Sequence, residues 1–226
     1  MLPIIEKCLK RQTFKDWEWI VVSPEDHIFG RWVKDPGKKE GFFYSLNASY
    51  NMGFREARGE LIISLQDGIY FPPDMLQKFW DHYQDNPKSI VGAIGHQYDQ
   101  IENGKPEHCV WKDPRQTTAY GSYYECTQKD VEWSVCSIPK QALFDVGGLD
   151  EEFDRIGPAL SEKECNIRMD TMGYKTYLDQ SIEYRAIKHP RLTGDWDQMY
   201  LKSVEYFHHC MREIENGTRK KLEYLF

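Results

Sequence analysis

The run from Asn51 to Asp67 constrains this chain more than any other stretch. It reads as the end of a short helix, a stop at Gly59, and the continuous apolar segment Leu61-Ile62-Ile63-Ser64-Leu65. An unbroken apolar strand is the pattern expected where both faces of a sheet are covered. Gln66-Asp67 then places an amide and a carboxylate at the strand's C-terminal end, where open α/β sheets gather their ligands. A carboxylate at such a point can hold a hard cation and, through it, a phosphate.

The rest of the chain repeats this alternation. The pattern predicts a helix over 1–11 with Ile4, Ile5, Cys8 and Leu9 on one face, a strand over 17–22, a loop over 23–41 and a helix over 45–58 stopped by Gly59. Pro72-Pro73-Asp74 opens a helix to about Tyr83, with Met75, Leu76, Phe79 and Trp80 on its apolar face. Further strands are expected over 90–94, 131–138 and 174–178, and helices over 140–146, 161–172 and 197–216. Residues 96–130 show no strong period and read as a long polar and aromatic excursion. Strands alternating with helices imply an α/β fold of Rossmann type, with a mostly parallel sheet flanked by helices. A chain of 226 residues is long enough to build this as a single domain.

Charge and cysteine usage exclude several classes. A formal net charge of −7 argues against non-specific nucleic-acid binding. It also means that a phosphate ligand needs local help, from a metal or a helix N-terminus. The six cysteines form no C-x-x-C pair, which argues against a zinc cage and for a reduced, cytoplasmic protein. No apolar run approaches membrane-spanning length. Without a signal peptide, Asn47-Ala48-Ser49 and Asn216-Gly217-Thr218 read as chance matches to a glycosylation pattern. No phosphate-binding P-loop, dinucleotide fingerprint or Ser-His-Asp arrangement is present.

Several motifs fall in a telling order. Arg11-Gln12-Thr13-Phe14-Lys15-Asp16-Trp17-Glu18 comes first, followed by Asn51, Gly53, Ala57, Gly59 and Glu60 in an N-x-G-x-x-x-A-x-G-E spacing. Pro73-Asp74, Gly147-Gly148-Leu149-Asp150-Glu151-Glu152-Phe153, Gly173-Tyr174-Lys175 and His189 complete the series. Together they resemble family 2 glycosyltransferases of GT-A type over nearly the whole chain. That resemblance implies a metal-dependent hexosyltransferase, inverting in its usual course. It would move sugar from a nucleotide diphosphate sugar, UDP by default, to a hydroxyl acceptor, with Mn2+ or Mg2+ as the ion. It further implies a nucleotide-sugar half over 1–95 and an acceptor half over 96–226. Two departures stand out. Gln66-Asp67-Gly68 replaces the family's D-x-D and keeps one carboxylate. The sequence also opens in the helix that follows the family's first strand, which implies an upstream extension or a shortened chain.

The resemblance assigns residues to roles, and each has a plainer alternative. Ser161 and Glu164 match a capping box, which places Glu162 in the first turn of a helix, where the dipole favours its ionised form. The resemblance makes Glu162 the general base; alone, it reads as a surface carboxylate. Asp67 and His189 are implied as metal ligands, against a turn aspartate and a surface histidine. Ser23, Glu25 and Asp26 are implied as donor contacts, against a solvated loop, and Asn51, Gln66 and Asp67 are implied as donor contacts with them. Trp133 is either an acceptor platform or core. A non-catalytic sugar- or nucleotide-binding module is the alternative to an enzyme. A nucleotidyltransferase comes last, for want of an early Gly-rich basic loop.

Overall fold

The computed structural model describes residues 2–157, 159–188 and 196–226. In chain order the elements are α1 (Leu2–Lys10), β1 (Ile20–Ser23), β2 (Arg31–Lys34), α2 (Leu46–Glu56), β3 (Leu61–Leu65), β4 (Ile69–Tyr70), α3 (Met75–Asp85) and β5 (Ser89–Glu102). Then come β6 (Lys105–Trp111), β7 (Tyr123–Glu125), β8 (Val135–Pro139), α4 (Lys140–Val146), α5 (Glu152–Ile156), α6 (Ser161–Thr171), β9 (Lys175–Ile187) and α7 (Trp196–Glu215). The class is mixed α/β. The chain divides into two compact units, interleaved in sequence: one of 1–17, 61–139 and 174–191, the other of 18–60, 140–173 and 192–226.

The first unit is built on a seven-stranded sheet whose main path runs β3-β8-β5-β9-β4. The sheet is mixed, not mostly parallel. β5 and β9 pair in parallel, whereas β3–β8, β5–β8, β4–β9, β5–β6 and β7–β9 are antiparallel. The parallel pair is bridged by the long stretch of chain between β5 and β9, while a tight turn joins the sequence-adjacent antiparallel strands β5 and β6. One such turn was hidden in the expected excursion. Asn103 and Gly104 take φ of 50° and 73° and join Glu102 to Lys105, so β5 and β6 form a hairpin. β3 was expected to be buried on both faces; only Ser64 is buried, because the strand lies at one end of the path with β8 as its partner.

The core of this unit is Ile69, Phe71, Met75, Phe79, Ile90, Ile94, Val135, Ile138 and Leu178, each nearly or fully inaccessible. α1 packs on β4, and α3 on β3 and β5. Gln12 ties α1 to the start of α3. Fully buried, it donates to the carbonyls of Pro72 (2.7 Å) and Cys8 (3.1 Å) and accepts the Leu76 N–H (3.0 Å), which is otherwise an orphan of the helix N-terminus.

In the second unit β1 and β2 pair in parallel, α2 packs on β1, and α4, α5, α6 and α7 form a helical group. β2 lies within the expected loop. Its short, part-exposed sequence, Arg31-Trp32-Val33-Lys34, carries only two apolar residues to announce it. α2 ends at Ala57 in an extended conformation rather than at Gly59. The C-terminal segment docks on the 147–150 turn. A Cβ on Gly147, whose φ is 80°, would lie 1.6 Å from the Leu222 carbonyl oxygen. Gly147→Ala is therefore expected to cost about 2 kcal/mol from the left-handed backbone and the displaced tail. Thermal unfolding, with proteolysis near Leu222 as a second readout, checks this; an unchanged melting point and cleavage pattern would contradict it. No described helix is long and apolar enough to cross a membrane.

Candidate functional site

In the first unit, Gln66, Asp67 and Gly68 form the turn from β3 to β4. The turn is fixed on both sides. Gln66 N–H donates to the Ser134 carbonyl (3.1 Å), the Ser134 hydroxyl donates to Gln66 Oε1 (3.2 Å), and Ile187 N–H donates to the Gly68 carbonyl (2.9 Å). Gly68 takes a φ of 71° to make the bend. Asp67 is exposed, with no side-chain hydrogen bond or ion pair among the described residues. The result is an open carboxylate on a braced turn, a donor of the type Mg2+ and Mn2+ take. Among the described residues no group of three or more His, Cys, Asp or Glu stands together to hold a metal. His189 lies outside the described residues.

Trp133 does not offer the platform its sequence position suggested. It is 4% exposed, and its carbonyl accepts the Ser64 hydroxyl. Its ring belongs to the core.

In the second unit, Ser23 ends β1 and donates its hydroxyl to the Glu25 carbonyl, leaving the Glu25 and Asp26 side chains exposed on the following loop. Asn51 has a different task from the expected donor contact. It is fully buried, its amide nitrogen donates to the Leu149 carbonyl (2.9 Å), and its oxygen accepts the Leu149 N–H (2.8 Å). A Cβ on Gly148 would come within 2.5 Å of that oxygen, which accounts for glycine there. Asn51 therefore clasps the Gly147–Glu151 turn.

Glu162 lies in the first turn of α6 and is half-buried, with the Ser161 hydroxyl 3.5 Å from its Oε2. The expected capping box does not form. The N-cap is Leu160, at a φ of 71°, with no side-chain cap bond. Glu164 is instead fully buried and takes Arg168 Nε (2.8 Å) and Arg219 Nε and Nη2 (3.1 and 3.0 Å) on one oxygen. A helix's second residue carries an orphan N–H whatever its cap, so a partial positive field still bears on Glu162.

Two further carboxylates, unassigned by sequence reasoning, complete this frame. Asp150 accepts Glu152 N–H (2.9 Å), Tyr206 Oη–H (2.8 Å) and Arg219 Nη2 (2.6 Å). Burial pushes its carboxyl up, but those three donors outweigh it and hold the group below the usual carboxylate range. Asp154 caps α2 by accepting the N–H groups of Asn47 (2.9 Å) and Ala48 (3.0 Å). Here burial prevails over those bonds and the carboxyl is raised. Asp150 stands within the Gly147–Phe153 motif and Asp154 directly follows it, and that motif was used only for the resemblance it carries.

Residues 44–153, a little under half of the chain, match the family model described as glycosyl transferase family 2. The matched stretch contains Asn51, Gln66, Asp67 and Trp133 and ends before Glu162. A crystal structure of GalNAc-T7 with UDP, GalNAc and Mn2+ is similar in fold, at a TM-score of 0.51 and 12% sequence identity. The likeness covers 71% of this chain and 34% of that one, so the chain spans about a third of the length of that relative. No curated protein matches the sequence.

Proposed function

From a chain that carries a family 2 glycosyltransferase segment on a GT-A-type fold, we propose transfer of a sugar from a nucleotide diphosphate sugar, UDP by default, to a hydroxyl acceptor. The observation that carries this reading is the exposed Asp67 on its braced turn inside the matched segment. In this reading residues 1–95 take the donor, with Ser23, Glu25, Asp26 and Gln66 as its contacts, and residues 96–226 take the acceptor. Glu162 accepts the proton of the acceptor hydroxyl as that oxygen attacks the anomeric carbon. The bond to the diphosphate breaks on the opposite face, so the anomeric centre inverts. A divalent ion, held by Asp67 and His189, would supply Lewis-acid neutralisation of the leaving diphosphate.

Ligand-dependent melting tests the donor side. UDP in the presence of Mn2+ is expected to raise the melting point, as saturation at 100 times Kd contributes about 2.7 kcal/mol. Asp67→Asn is expected to abolish the Mn2+-dependent part of that rise and to leave the ligand-free melting point unchanged. A melting point indifferent to UDP and UDP-sugars, with or without Mn2+, would refute the proposal; a full Mn2+-dependent rise in Asp67→Asn would refute the role of Asp67. The single carboxylate at Gln66-Asp67-Gly68 favours one other reading, a module that binds the nucleotide sugar without turning it over. UDP binding without any UDP release from UDP-sugars would select it.

A further inference from the structure

The first unit contains a cleft of about 520 Å³ that the reading above leaves unused. Its lining includes Tyr70, Asp74, Lys78, His96, Tyr98 and Arg185. The cleft opens where the β5–β9 pairing shifts between Ala93 and Ile94 and β9 bulges through 180–182. It is tied to the Asp67 turn. Tyr70 is in β4, paired with Arg185, and the Gly68 carbonyl holds Ile187.

His96 stands at the end of the buried half of β5 and is 9% exposed. Its Nδ1 accepts the backbone N–H of Asp113 at 3.1 Å. That N–H is held in place, because the Asp113 carboxylate binds Arg115 (2.9 Å) and the Gly95 N–H (3.1 Å). An occupied Nδ1 acceptor puts the proton of the neutral ring on Nε2. Nε2 has no protein partner among the described residues. His96 is thus a nearly buried side chain that lines the cleft, with an Nε2–H that no described protein group receives.

The walls narrow the ligand. Tyr70 and Tyr98 each carry a guanidinium over the ring, Arg11 at 5.1 Å and Arg185 at 5.2 Å, which fixes both aromatic bodies in place. The lining charges balance: Lys78 pairs with Asp74 at 2.9 Å, and Arg185 is matched by Glu183 in the same lining. A phosphate or carboxylate would meet two acidic side chains there. A polyhydroxylated ring would meet carboxylate acceptors, cationic and imidazole donors and aromatic surface together.

We propose that this cleft binds a neutral sugar ring of the acceptor, with His96 Nε2–H donating to one of its hydroxyls. The assignment rests on the transferase reading, which gives the neighbouring Asp67 turn to the donor. The test is NMR of the histidine side-chain nitrogens of the whole chain, titrated with glucose, galactose, N-acetylglucosamine and N-acetylgalactosamine, and separately with glucuronate and uridine. At least one neutral sugar is expected to shift His96 Nε2. His96→Ala is expected to weaken that sugar about tenfold, as loss of one such bond implies, while His96→Gln, which keeps an N–H donor, retains part of the affinity. Should His96→Ala fail to fold, Tyr98→Leu serves, with the same expected weakening. No shift from any neutral sugar, a larger one from glucuronate or uridine, or undiminished affinity in the folded variants would overturn the proposal. The UDP melting response of the same samples separates the failures: a rise with UDP but no sugar effect sinks the cleft alone, and no rise sinks the transferase reading.

Discussion

Replacement of Arg168 by methionine is expected to lower the stability of the fold by about 3–5 kcal/mol, the usual cost of stripping one partner from a buried ion pair. Arg168 is 5% exposed and Glu164 is inaccessible. The guanidinium uses its whole fork: Nε meets Glu164 Oε1 at 2.8 Å, Nη1 donates to the Val146 carbonyl at 2.7 Å, and Nη2 donates to the Gly148 carbonyl at 2.7 Å. Burial disfavours its charge, yet Glu164 outweighs burial and holds Arg168 protonated above its usual range. Methionine fills much of the volume but leaves two carbonyls bare and Glu164 dependent on Arg219. Glu164 Oε2 already lacks a partner, so the carboxylate would rest on the two Arg219 bonds to its other oxygen alone. Lysine keeps the charge but cannot span three acceptors at once, so Arg168→Lys should lose less than methionine and more than 1 kcal/mol, roughly one neutral hydrogen bond's worth. Urea unfolding of the two variants decides it. A loss under 1 kcal/mol for methionine would mean that Arg219 alone suffices for the Glu164 carboxylate, and that the 147–150 turn is held by other contacts.

That cluster also marks the limit of what the sequence discloses. α4 falls on 140–146 as its apolar spacing predicts, and α6 is followed by Gly173 at a φ of 84°. Such features are local: side-chain period and a residue tolerant of left-handed backbone suffice to write them. β2 is not local in this sense. Arg31-Trp32-Val33-Lys34 forms a strand because β1 lies beside it, and its part-exposed faces demand no apolar pattern. The β5–β6 hairpin was missed: Asn103-Gly104 is a strong turn signal, but the polar residues around it masked the strands. Side-chain roles were least accessible. Ser161-Glu162-Lys163-Glu164 spells a capping box, and a local reading gives Glu164 to the cap. Its actual partner Arg219 is 55 residues away, and Asn51 is 98 residues from the Leu149 it clasps. No window short enough to show a period can show either pair. At the candidate site, the turn position of Asp67 could be read from the sequence, whereas the bracing by Ser134 and Ile187 could not.

Glu162→Gln separates the chemistry from this framework. The substitution conserves shape and removes the ability to take a proton. A positioned general base contributes typically 10²–10⁴-fold, so UDP release from a UDP-sugar in the presence of acceptor should fall by about that factor. Stability should hardly move. Glu162 is half-buried in the first turn of α6, where loss of a charge forgoes about 0.3–1 kcal/mol of dipole interaction. The donor's effect on the melting point should persist, because the role assigned to Glu162 is toward the acceptor hydroxyl rather than the diphosphate. Glu164→Gln supplies the contrast two residues along. It weakens a buried ion cluster and should reduce the melting point, with its rate loss confined to the unfolded fraction. The two variants therefore fail in different ways if the assignment holds: one folded and slow, the other unstable and competent when folded. Turnover of Glu162→Gln within threefold of the parent would place the base elsewhere. A rate collapse in Glu164→Gln at full folding would move the proton-accepting role to the buried carboxylate.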